Sequence, residues 1–240
     1  MSAPSRTLAV LAYHKVGPPA AGSWETWFSV SEDTFASHLE YLEENDWQVI
    51  GLDDLLGAIE NPATLGKRSA LLTFDDGERS LCGLAARVLS RFGFPSVCFL
   101  PTDFIGRASV FNLDDGEPEE PICEADELRE LAGRRVSIQS HGASHTRFSL
   151  LDGGQQQREL LRSKAAIEAV VDRPVRAFAF PYGDVGRNGH GLDAALHRSG
   201  YRAAFLYGGG PVALPIANRY RIPRIPMGPD TDLHKELGGR

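Results

Sequence analysis

The chain has 240 residues, 42% of them apolar, which suffices for one sizeable core and a single catalytic-sized domain over residues 1–240. A formal charge of −7 excludes the basic footprint of a nucleic-acid binder, and no apolar run reaches the length of a membrane span. Three cysteines, Cys82, Cys98 and Cys123, lie far apart with no CxxC spacing, a pattern expected of reduced core thiols rather than a disulfide framework.

In chain order, Thr7–Tyr13 (TLAVLAY) predicts the first strand and runs directly into His14. That apolar run is too short for the core of a secretory signal, so the expected location is the cytoplasm. A loop carrying Trp24, Trp27 and Phe28 follows. Ser31 then caps a helix whose Phe35, Leu39 and Leu42 share one face. WQVIGL predicts a strand, DDLLGAIE a short helix, SALLTF a strand, and SLCGLAARVLSRFG a helix closed by Gly93. PSVCFL and RVSIQS are further strands, separated by an acidic loop over residues 114–127 that leads into a helix. QQQRELLRSKAAIEAVV predicts a long helix, and RAFAF, YRAAFLY and RYRIPRI supply the last strands. Strands alternating with helices predict a parallel α/β architecture of the (β/α) barrel size class, complete or distorted.

In such barrels chemistry sits at the C-terminal strand ends, where this chain places His14, Asp75–Asp76, Ser140–His141 and Pro181–Tyr182. His141 and His145 are four apart, which suits a pair of metal ligands or, equally, two capping histidines. A carboxylate from Asp75 or Asp76 completes a two-histidine, one-carboxylate site with an open position. DDG alone reads as a tight turn, but a turn does not require two charges at the end of the apolar LLTF. The phosphotransferase pattern DxDG is out of register, because Phe74 stands where its nucleophile belongs.

TFDDG (Thr73–Gly77), SHGASH (Ser140–His145) and FAFPYG (Phe178–Gly183), in this order, resemble the polysaccharide deacetylase family, also called the NodB-homology or carbohydrate esterase 4 group. The resemblance runs from about Leu8 to Ile225 and implies a distorted (β/α)7–8 barrel that hydrolyses an N-acetyl, or O-acetyl, group with a divalent metal ion. It implies Asp75 as general base, Asp76, His141 and His145 as metal ligands, and the Tyr182 N–H as an oxyanion donor. The metal implied is zinc, with cobalt, nickel or manganese as alternatives, and the partner is an N-acetylated saccharide or glycoconjugate. LAYHKVG resembles the branch of the family whose acid histidine stands near the N-terminus, so His14 is expected as general acid ahead of His234 in TDLHKEL. His38, His190 and His197 are expected to be structural or exposed.

The chain departs from the better-known third motif, which has an arginine where Ala179 stands here. That leaves the group orienting Asp75 open among Asp184, Arg219, Arg221 and Arg224. Pro181, Trp24 and Trp27 are the expected substrate contacts, although the tryptophans could equally pin their loop to the barrel. A catalytically silent glycan- or metal-binding module of the same fold is the alternative function. A non-haem iron oxygenase is the third, disfavoured by the absence of a close His-x-Asp pair.

Overall fold

Strand β1 (Thr7–Tyr13) is buried along nearly its whole length and lies between partners on both edges. The computed structural model describes residues 6–186 and 189–238. The further strands of the sheet are β2 (Gln48–Val49), β3 (Arg68–Phe74), β4 (Ser96–Leu100), β5 (Val136–Ser140), β6 (Ala177–Ala179), β7 (Ala203–Phe205), β8 (Val212–Ala213) and β9 (Ile225–Pro226). Their order is β8-β1-β3-β4-β5-β6-β7, with β2 against β3 and β9 against β1. Among the strand pairs of the described residues, β1–β8 alone is antiparallel.

Continuous apolar strands are what a parallel sheet covered on both faces requires. Successive residues of β1 go to opposite sides: Leu8 and Val10 join one cluster, whereas Ala9, Leu11 and Tyr13 join the other. The first cluster gathers Leu71, Val97, Phe99, Ala179, Phe205 and Ile222 with Leu52, Leu55 and Leu56 of helix α1 (Leu52–Glu60). The second packs the other face under the remaining helices, including Glu32–Glu44 and Gly153–Val171. Ser31 caps the first of these by accepting from the Thr34 N–H at 3.0 Å, as its sequence predicts.

The curl is closed by the segment 219–227. Its Ile222 N–H donates to the Ala204 carbonyl (3.0 Å), and its Met227 N–H donates to the Ala12 carbonyl (2.9 Å). One short stretch therefore stitches β7 to β1, and the architecture is a distorted (β/α) barrel. RYRIPRI, expected as a full strand, contributes only its last residue to the two-residue β9, because Pro223 within it and Pro226 just after it have no N–H for a ladder. No helix among the described residues is long and apolar enough to cross a membrane.

The cysteines correct an expectation. Cys82 and Cys123 are joined as a disulfide, and only Cys98 is a free, buried thiol. Scatter along the sequence hid this pairing, since the chain beyond β4 doubles back over the end of β3. There the Cys123 N–H donates to the Gly77 carbonyl at 2.9 Å, and Ile122 bridges Glu78.

Candidate active site

The LLTF run of β3 delivers Asp75 and Asp76 to the barrel rim, both about 2% exposed. The Asp75 N–H still donates to the Tyr13 carbonyl (2.9 Å), but Asp76 and Gly77 then take positive φ angles of 65° and 68°. Gly77 suits this turn: a side chain would be strained at its positive φ, and a Cβ would sit 2.4 Å from Leu100 Cδ1. A left-handed aspartate costs on the order of 1 kcal/mol or more, a strain that recurs at functional sites. It turns Asp76 away from Asp75, so the adjacent carboxylates acquire different neighbours.

Asp75 is clasped by Arg224, which donates from Nη1 to Oδ1 and from Nη2 to Oδ2, each at 2.6 Å. Arg224 is fully buried and itself fixed, donating from Nε to the Leu206 carbonyl (2.7 Å) and from Nη1 to Thr73 Oγ1 (3.2 Å). Burial pushes the Asp75 carboxyl up, but the Arg224 guanidinium and His141 outweigh it, and the group lies below the usual carboxylate range. The other candidates for this role are engaged elsewhere. Asp184 accepts from Ser149, Arg219 pairs with Glu60, and Arg221 pairs with Asp193.

Asp76 faces the two histidines. Its Oδ1 lies 3.2 Å from His145 Nε2 and 3.6 Å from His141 Nε2, and the three atoms lie within 4.8 Å of one another. His141 Nδ1–H donates to the Ala179 carbonyl at 2.8 Å, which leaves the Nε2 lone pair directed at the cluster. Burial holds the His141 pKa down at about 4, so the ring is neutral and able to ligate. Burial also pushes the Asp76 carboxyl up, yet His145 and the other nearby histidines hold it well below its ordinary value. Asp76 Oδ1 is buried without a hydrogen-bond partner. An orphaned carboxylate oxygen beside two imidazoles, with the His141 lone pair aimed at it, fits a divalent cation of the borderline type.

His14 Nε2 lies 4.0 Å from Asp75 Oδ2, on the same rim. Phe28 (ring centroids 4.7 Å apart) and Tyr207 (5.4 Å, edge-on) hold its ring, and its Nδ1 is buried without a partner. Burial, the largest influence, lowers its pKa below the usual histidine value, partly offset by Asp75 and Asp76. His234 sits instead in an exposed helical turn near Tyr41, outside this cavity.

Tyr182 has φ +59° in a tight turn after β6. Its ring is covered by the Arg147 guanidinium (3.8 Å) and its hydroxyl donates to the Phe111 carbonyl (3.0 Å). Gly183 follows because a Cβ would come 2.7 Å from the Tyr207 backbone nitrogen. Pro181 is buried beneath the turn, outside the cavity lining.

His14, Asp75, Asp76, His141, His145 and Tyr182 line one cavity of about 290 Å³. Neither Trp24 nor Trp27 belongs to it; both are about half-exposed, and Trp27 packs over Gly228 and edge-on to Phe28. Phe28 is the aromatic residue of that loop that reaches the cavity. Several further lining residues, Glu78, Asn112, Arg147 and Tyr207 among them, are not marked by any sequence motif. Tyr207 follows the apolar AAFL after β7, so the strand-end criterion could have found it. His38 is structural, joined to the Tyr13 hydroxyl and the Thr231 carbonyl at 3.1 Å each, and His197 lies on a helix near Tyr220. The side chain of His190 lies outside the described residues.

Residues 63–204 match the family model for polysaccharide deacetylase. The chain is 26% identical over 220 residues to a poly-beta-1,6-N-acetyl-D-glucosamine N-deacetylase of Staphylococcus epidermidis, covering 88% of this chain and 73% of that protein. It is 23% identical over 195 residues to the putative polysaccharide deacetylase YxkH of Bacillus subtilis, covering 81% of this chain but only 62% of that longer protein. Among solved structures, Streptococcus pyogenes deacetylase PplD in complex with acetate superposes with a TM-score of 0.80, at 17% identity and 98% coverage of both chains. IcaB from Ammonifex degensii gives 0.80 at 21% identity, covering 97% of this chain and 95% of that one.

Proposed function

Because the chain belongs to the polysaccharide deacetylase family, we propose that it is a metal-dependent hydrolase removing N-acetyl groups from a saccharide of N-acetylglucosamine type. The observation that carries this reading is the division of labour between adjacent carboxylates. Asp75 is paired with a buried arginine, and Asp76 lies against two histidines, at one cavity. The name of the staphylococcal relative supports the substrate class.

Asp76 Oδ1, His141 Nε2 and His145 Nε2 would hold the cation. When bound, a divalent ion supplies a water of lowered pKa and polarises the acetyl carbonyl. Asp75 Oδ2 takes the proton of the attacking water. Arg224 keeps that carboxylate ionised and directed, since its two donors fix the plane of the group. The Tyr182 N–H donates to the developing oxyanion, the kind of interaction whose removal costs about 10²–10³ in rate. His14, held between Phe28 and Tyr207, passes a proton to the departing nitrogen, because an amine anion is too basic to leave unassisted.

The test is acetate release from β-1,6-linked N-acetylglucosamine oligomers by metal-stripped and zinc-reloaded enzyme, with Asp75→Asn as control. Release that returns with metal and vanishes in Asp75→Asn is the expected result. Tight, metal-independent binding without release overturns the reading in favour of a silent glycan-binding module.

A further inference from the structure

Five carboxylates line the cavity: Asp75, Asp76, Glu78, Asp115 and Glu117. Four of them face a basic side chain. Arg224 holds Asp75, His145 lies against Asp76, Arg147 is 3.8 Å from Asp115, and Lys15 is 3.0 Å from Glu117. Glu78 is the exception. It is 5% exposed, and among the described residues its carboxyl makes no hydrogen bond and no ion pair. Lys15, the cation that acts on it electrostatically, is already engaged by Glu117. A second acceptor, Asn112 Oδ1, lines the same cavity and is buried without a hydrogen-bond partner.

A buried carboxyl without a partner costs several kcal/mol unless something supplies donors. The Glu78 backbone is held, bridged to Ile122 and accepting from the Leu81 N–H at 3.0 Å, so its side chain stays at the cavity. A ligand in the cavity can supply that partner in place of solvent. Two orphaned acceptors call for two donors on one molecule, which a row of ring hydroxyls provides. A cationic ligand is the rival, because Asp76, Glu117 and Glu120 oppose Lys15 beside Glu78, and the binding experiment separates the two. A cavity of about 290 Å³ lies at the small end of ligand pockets and suits one sugar ring.

We propose that Glu78 and Asn112 form the wall that reads the sugar, with the Glu78 carboxyl accepting a hydrogen bond from a hydroxyl of the ring that bears the acetamido group. The proposal rests on the deacetylase reading and adds a specificity determinant two residues from Asp76 that none of the sequence motifs marks.

The probe is methyl N-acetyl-β-D-glucosaminide with its 3-deoxy and 4-deoxy analogues. Binding is measured by calorimetry in an Asp75→Asn background and acetate release in the otherwise unaltered enzyme, both reloaded with zinc. One deoxy analogue is expected to bind about 10- to 100-fold more weakly than the parent. Glu78→Ala should weaken the parent by a similar factor and lose most of that discrimination. Glu78→Gln, which keeps an acceptor in the same place, should restore most of the binding, with the melting temperature of both variants unchanged or raised. Equal binding by Glu78→Ala and its parent, undiminished discrimination in Glu78→Ala, or no binding at all overturns the proposal. So does tighter binding of the free glucosaminide with Glu78→Gln no better than Glu78→Ala, which would make the ligand a cation. Binding that depends on Glu78 without acetate release leaves the wall standing and overturns the deacetylase reading instead.

Discussion

Arg224 reaches Asp75 across 149 positions of sequence and binds both of its carboxylate oxygens at 2.6 Å, with neither side chain open to solvent. The arginine rides on the segment that closes the barrel between β7 and β1. Closure of the fold and orientation of the proposed base are therefore one structural event.

Arg224→Lys should not rescue this site, because a single ammonium cannot grip two oxygens in one plane. Turnover is expected to fall by about 10²-fold or more. Urea unfolding should show a loss of about 3–5 kcal/mol for Arg224→Met, which leaves a buried carboxylate unpaired. Activity near that of the parent enzyme in Arg224→Lys would remove Arg224 from the role.

The Asp76, His141 and His145 cluster predicts a thermal signature. Zinc in about hundredfold excess over its dissociation constant should stabilise the protein by about 2.7 kcal/mol, seen as a rise in melting temperature. Asp76→Ala should abolish that rise, while Asp75→Asn should keep most of it. A zinc shift that survives Asp76→Ala places the ion elsewhere.

His14 and His234 make opposite predictions. His14→Ala should lower kcat by about 10²–10⁴, the usual worth of a general acid. His234→Ala, altering an exposed turn outside the cavity, should leave kcat unchanged. Steady-state kinetics on an N-acetylated oligomer distinguishes them, and the reverse ranking would reassign the acid.

His38 predicts how stability responds to pH. Its Nε2–H donates to the Thr231 carbonyl and its Nδ1 accepts from the Tyr13 hydroxyl, a neutral ring joining an outer helix to the C-terminal segment. Burial lowers its pKa below the ordinary 6.5, with the Thr231 bond opposing in part. The unfolded chain thus takes up a proton first as pH falls below about 6.5, and stability declines until the lowered folded value is passed. Each such group contributes a slope of at most about 1.4 kcal/mol per pH unit. Metal-free protein should melt at lower temperature at pH 5 than at pH 7, and His38→Gln should have a shallower decline. An unchanged slope in His38→Gln would show that His38 does not carry it.

Much of the candidate site was legible because its residues stand at the ends of apolar strands. Asp75, Asp76, His141 and His14 each follow a run that had to be buried, and a barrel brings all such ends to one rim. His145 came with His141 through spacing alone. Trp24 and Trp27 misled because aromatic character does not say which way a loop faces: Phe28 turns inward and its neighbours outward. The Cys82–Cys123 pair was invisible for a similar reason, since it depends on where a long loop returns.

Apolar periodicity marks the alternation of strand and helix, the rim on which the candidate site lies, and the histidines and aspartates that stand there. These are local properties, set by apolar periodicity and by the polar residue that ends each run. Which of four candidates grips Asp75, and that Glu78 faces the cavity without a partner, emerge only from the packed fold. Both depend on contacts between segments distant in sequence, where orientation comes from the closure of the barrel and the path of its loops. Ala179, where an arginine was missed, turns out to serve through its carbonyl, which orients His141, while the arginine comes from the closing segment.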